Sequence, residues 1–156
     1  IWYVAYIAFS LIKFKGLTSI SQSYYKLERE FGEGKGVYFT AWCNLMCILV
    51  LPPCWMITLG NWWMWLLYPM IFGLYLVGLA PRYGVEKYSY WHYAGAAMAA
   101  VCALTIVFCE GLWWVVLGAA LLSLVANFLT KSKDLMLWGE NMCFISLLIM
   151  MLCKSY

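Results

Sequence analysis

Apolar residues run almost unbroken through six stretches of this chain, at 1–17, 37–58, 62–80, 92–109, 112–130 and 135–153. Crossing a bilayer as a helix takes about 20 apolar residues, with a range near 17–25. Each stretch is therefore predicted as a transmembrane helix, the first being the shortest in its apolar part. The second carries Pro52-Pro53 near its far end, where two missing amide donors predict a kink or an early stop. Between the first two stretches the period changes. Ile20, Tyr24, Leu27 and Phe31 recur at helical spacing, with Gln22, Lys26, Arg29 and Glu30 on the opposite face. That pattern predicts a short amphipathic helix within 19–31, lying on the membrane surface. Ser19 or Ser21 is expected to cap it and Gly32 to stop it. The alternating Gly32, Gly34 and Gly36 follow no strand, so they read as a flexible approach to the second span rather than a phosphate loop.

Composition supports the bilayer. Of 156 residues, 66% are hydrophobic and 11% charged, more apolar surface than a water-soluble domain of this size can hide. Charge placement then sets an orientation. Of the ten Lys and Arg residues, Lys13, Lys15, Lys26, Arg29 and Lys35 fall in the first polar connection, Arg82 and Lys87 in the third, and Lys131 and Lys133 in the fifth. The second and fourth connections, around Asn61 and at Glu110-Gly111, have none. Lys and Arg resist translocation, so the odd connections face the cytoplasm and both termini lie outside. Trp55, Trp62, Trp63, Trp65, Trp113 and Trp114 gather at the outer ends, and Tyr83, Tyr88, Tyr90, Trp91 and Tyr93 at the inner ends, as interfacial belts do. The basic residues sit where topology wants them, and no nucleic-acid partner is implied. The expected fold is an all-α integral membrane protein of the bacterial inner membrane. It forms one domain over 1–156, a bundle of six transmembrane helices with a short amphipathic helix in the first cytoplasmic loop. Ile1, not Met, opens the numbering, so a trimmed terminus is expected.

Small residues suggest which helices meet. Ala94, Gly95, Ala96, Ala97, Ala99, Ala100 and Ala103 line the fourth span; Gly118, Ala119, Ala120, Ser123 and Ala126 line the fifth. These two are expected to pack closely as an antiparallel pair, with generic small residues as the bland alternative.

Polar residues within spans are costly and mark candidate sites. Glu140 lies about two turns into the last span, and Asn141 follows it. Asn44, Asn127, Arg82 and His92 fall toward the same predicted inner face, with Ser19, Ser21, Ser23, Tyr24 and Tyr25 placed to roof them. Two arrangements fit. Glu140, Asn141, His92, Arg82, Asn44 and Asn127 line a polar cavity for an ion or small polar ligand, or Arg82 or His92 pairs with Glu140 and the asparagines lock helices together. Inner-leaflet lipid headgroups are a further partner for Arg82 and Lys87. Seven cysteines, all in apolar stretches, exclude a secreted disulfide framework. Cys43, Cys47 and Cys54 share a face, as packing residues or as a soft-metal stripe. No His or carboxylate joins them, and no metal or other cofactor is expected. A single His also argues against metal-dependent hydrolysis.

The string Ser19-Ile20-Ser21-Gln22-Ser23-Tyr24-Tyr25 stands with Phe39-Thr40, Gly78-Leu79-Ala80-Pro81, His92-Tyr93 and Glu140. Together they resemble a group of uncharacterised small multi-pass membrane proteins of gut Bacteroidales and their phages, which carry a Ser-Ile-Ser-x-x-Tyr-Tyr motif. Some broader families with similar strings are grouped with the CREST membrane hydrolases, whose three metal-binding histidines this chain lacks. The resemblance implies a six-helix membrane protein. The functional expectation is a small channel, transporter-like or ligand-sensing protein with a polar pocket open to the cytoplasm, more in keeping with a non-enzyme. An 18.0 kDa chain has little room for a pathway in one subunit, which points to a homo-oligomer. The alternatives are a membrane-embedded lipid hydrolase and a structural or holin-like factor of phage origin.

Overall fold

The computed structural model describes residues 2–14, 17, 19–79, 89–130 and 135–154. Within them all regular secondary structure is helical: α1 (Trp2–Lys13), α2 (Ser23–Phe31), α3 (Val37–Thr58), a 3-10 turn (Trp62–Leu66) running into α4 (Leu67–Leu79), α5 (Ser89–Cys109), α6 (Trp113–Thr130) and α7 (Leu135–Lys154). Four helices are long and apolar enough to cross a membrane, over Val37–Thr58, Trp62–Leu79, Tyr90–Cys109 and Met136–Lys154. The shorter α1 has 12 residues, a length of about 18 Å at 1.5 Å per residue. Large side chains such as Ile12, Ile48, Met56, Val101, Leu121, Leu122 and Phe128 stand exposed around the outside, a surface suited to lipid rather than water.

Pro52-Pro53 do not end their helix: α3 continues to Thr58. The prolines remove two helical hydrogen bonds near one end, and in an apolar span the remaining ladder has no better alternative. The small-residue expectation is corrected in its partner. Gly95 and Ala99 face α4, where a Cβ on Gly95 would lie 2.7 Å from the Gly73 carbonyl oxygen, and one on Gly73 2.4 Å from that of Gly95. So α5 packs most extensively on α4, with backbones touching, and only lightly on α6. A Cβ on Gly118 meets nothing within 4 Å. The short turn does bring α6 back antiparallel. Gly111, at φ 80°, closes α5 with Gly111 N–H to Phe108 O (2.9 Å) and Leu112 N–H to Val107 O (3.2 Å), the two bonds of a Schellman cap. Helix α6 instead packs on α7, where Ser123 Oγ donates to the Trp138 carbonyl at 3.1 Å.

The segment before α3 is also more ordered than its glycines suggest. Gly32 and Gly34 take positive φ in turns closed by Lys35 N–H to Gly32 O and Val37 N–H to Gly34 O, both 3.2 Å. Gly36 is needed for contact, since any Cβ there would sit 2.5 Å from the Tyr24 ring. Helix α2 starts at Ser23 with no side-chain cap; Ser19 Oγ accepts from Gln22 N–H (3.2 Å) in the turn before it. Gly32 ends it, as expected. Its apolar face, with Tyr24 and Leu27 buried beside Ile20, docks against α3 and Tyr3, Phe39 and Trp42 instead of resting on lipid.

Candidate functional site

Helices α3, α4, α5 and α7 leave a partly open cavity of about 90 Å³ between them. One end is formed by Ile20, Ser21, Phe39, Val77, Ala96 and Glu140; the other reaches Val50, Met70, Ala103 and Leu147. On α7, Glu140, Cys143, Phe144 and Leu147 recur at three and four residues, so one helix face lines about 10 Å of it. The alanines of α5 make the room: Ala96, Ala99, Ala100 and Ala103 place no bulk beyond Cβ on this wall. The wall is almost wholly apolar, and Glu140 is its one ionisable acid.

The Glu140 carboxylate is held from the first loop. Ile20 N–H donates to its Oε2 at 2.5 Å, and no other hydrogen bond or ion pair engages it among the described residues. The loop that presents this N–H is tied in turn. Ser23 Oγ donates to the Ile20 carbonyl (2.6 Å), Tyr6 of α1 shares a hydrogen bond with Ser23 (2.6 Å), and Ser19 and Ser21 hydroxyls lie 3.0 Å apart. One helical position on, Asn141 is 7% exposed and turned away from the cavity. Its Oδ1 accepts from Tyr3 OH, while its Nδ2 donates to the Leu137 carbonyl at 2.8 Å. A set of aromatic rings closes this end: Trp42 lies 4.6 Å from Tyr6, 5.7 Å from Phe144 and 6.1 Å from Phe39, centroid to centroid.

Several expected site residues lie elsewhere. Asn44, half-buried on α3, and Asn127, half-buried on α6, are not in the cavity wall. His92 stands one turn beyond Ala96, outside the wall, with Nδ1 buried and without a hydrogen bond among the described residues. Arg82 falls outside the described residues. Of the predicted roof, Ser21 lines the cavity, Ser19 and Ser23 brace the loop, Tyr24 packs beneath it on Gly36, and Tyr25 is 52% exposed. The expected polar cavity is therefore corrected to an apolar one with a carboxylate at one end. The reason is angular: successive helix positions differ by about 100°, so inner-face depth alone does not put a side chain on the inner wall. Pairing of His92 with Glu140 is absent too. What sequence reasoning missed is the backbone N–H of Ile20 and the tyrosines of α1, Tyr3 and Tyr6. Their signal was present as aromatic hydroxyls at i and i+3 within an otherwise apolar helix.

The cysteines pack. Cys43 abuts Gly78, where an added Cβ would lie 2.7 Å from its own, and the Cys47 thiol approaches the Ile71 carbonyl at 3.8 Å. Among the described residues no three His, Cys, Asp or Glu side chains are grouped to hold a metal ion. At the far end of the bundle a second carboxylate, Glu110, accepts from Trp63 Nε1–H at 2.7 Å and pairs with Lys154 Nζ at 3.3 Å. No protein-family profile, curated protein or solved structure matches this chain.

Proposed function

We propose that this is a six-span protein of the bacterial inner membrane, termini outside, that binds a small lipophilic ligand in the cavity between α3, α4, α5 and α7. The observation that carries the reading is the wall itself: apolar along its length, with the Glu140 carboxylate at one end. Apolar pockets with few polar groups are the usual form of small-molecule sites, the polar groups fixing orientation. An ion moving through would shed water against Leu147, Met70 and Ala103 with nothing to replace it, so conduction fits this wall poorly. A ligand-sensing or ligand-carrying role fits it better. The expected positive-inside orientation places the Glu140 end toward the cytoplasm, within reach of ligands from the inner leaflet.

The test is saturable binding of a neutral lipophile, butanol, to the purified chain in lipid nanodiscs, read as a dose-dependent rise in melting temperature. Ala100→Phe fills the cavity from α5 and is expected to abolish the saturable part while leaving the unliganded protein folded. Absence of saturable binding in the wild-type chain would overturn the reading. A proton or potassium flux in liposomes that Ala100→Phe blocks would replace it with a channel.

A further inference from the structure

We infer that the ligand of this cavity is a small lipophilic amine, its ammonium group seated on Glu140. The inference rests on the binding role proposed above and adds the chemical class of the head group.

The molecule contains its own reference case. Both glutamates stand at helix-packed ends of the bundle, Glu110 with its side chain buried and Glu140 half-buried, and each accepts one N–H: Trp63 Nε1–H for Glu110, Ile20 N–H for Glu140. Glu110 is then completed by a primary ammonium, Lys154 Nζ, 3.3 Å from its second oxygen. Glu140 has the first partner and lacks the second among the described residues. A carboxylate removed from water is costly unless a cation or further donors complete it. The cavity borders Glu140, and no Lys or Arg is found in its described wall.

The remaining walls suit the same occupant. Phe39, Trp42 and Phe144 bring three aromatic side chains to the Glu140 end, and aromatic faces attract ammonium groups. Beyond them alkyl, thioether and thiol groups follow, which favour a hydrocarbon body and disfavour a second polar group. Size sets a limit. A cavity of about 90 Å³ corresponds to roughly three waters' share of liquid at ~30 Å³ each, enough to enclose an ammonium and a few carbons. An anionic head would meet Glu140 directly and is excluded by like charge.

Butylamine, butanol and butyrate share a chain length and differ in head charge. Titrated against the full chain in nanodiscs, with melting temperature as readout, butylamine is expected to bind about tenfold more tightly than butanol, as a charge-assisted hydrogen bond would give. Butyrate is expected not to bind. Glu140→Gln keeps an oxygen for Ile20 N–H and is expected to bring butylamine down to the level of butanol, with butanol binding intact. Glu110→Gln is expected to leave the preference for the amine unchanged. Equal binding of amine and alcohol by the wild-type chain, or a preference that survives Glu140→Gln, would overturn the amine while leaving the lipophile site standing. Saturable binding of none of the three would remove both. Repeating the titration with and without phosphatidylethanolamine in the nanodisc separates sources: competition by this lipid assigns the ammonium to a lipid head group, and its absence assigns it to a free amine.

Discussion

Glu110 and Glu140 sit at opposite ends of the same bundle, and the contrast between them separates a structural carboxylate from one with unused capacity. Glu110 is 7% exposed and doubly engaged, by Trp63 from the turn before α4 and by Lys154 from the end of α7. It closes one end by joining three segments distant in sequence. Glu140 is engaged once, by a backbone N–H from a loop that four hydroxyl-bearing side chains, Tyr6, Ser19, Ser21 and Ser23, and their bonds hold in place. The lesson is that burial of an acid in an apolar helical bundle does not mark a site by itself. What marks it is burial beside open space with part of the hydrogen-bonding capacity left over.

The largest test acts on the frame that both ends share. Gly95→Val drives a branched side chain into the Gly73 carbonyl and Leu76, and is expected to cost about 3 kcal/mol or more in thermal unfolding, with the amine preference lost as well. A variant of normal stability would show that α4 and α5 do not touch. Next comes Glu110→Ala, which strands the Trp63 N–H. It is expected to cost about 2 kcal/mol, little of it from the half-exposed Lys154 partner, and to leave ligand binding unchanged. Tyr6→Phe removes the hydroxyl that braces Ser23 and is expected to cost about 1 kcal/mol, with amine binding weakened several-fold because the Ile20 N–H is less firmly placed. Glu140→Gln reverses the pattern of Glu110→Ala, with a stability change below about 1 kcal/mol but loss of the amine preference. If instead the Glu140 variant unfolds and the Glu110 variant stops binding, the assignment of roles is inverted. The smallest effect is expected from Gly118→Ala, within about 0.5 kcal/mol, since a Cβ there meets open space; it separates the α6 small-residue stripe from that of α5.

Much of the fold was legible in the residue pattern. The bounds 37–58 were read from the sequence and appear as Val37–Thr58, and the last span, read as 135–153, appears as Leu135–Lys154. Long apolar runs carry that signal because the helix must satisfy its own backbone in lipid. The site was legible only in part. Glu140 stood out as an acid within an apolar run, and Ser21 was placed above it. Asn44, Asn127 and Asn141 were grouped with Glu140 by depth, which ignores rotation about each helix axis. The Ile20 amide had no side-chain signature, since any residue but proline supplies one.

Sequence alone determined the helical elements, the apolar character of the surface and the candidate acid, because these follow from local periodicity and the hydrophobicity of single residues. Tertiary structure decided the neighbours. Gly73 meeting Gly95 puts α5 on α4 and turns the alanines of α5 toward a space bounded by α3 and α7. That choice fixes which face of α7 borders the cavity, and so why Glu140 lies in its wall while Asn141, one residue later, is tied to Tyr3. Helix rotation and pairing depend on contacts between segments far apart in the chain, and no single stretch of sequence carries them.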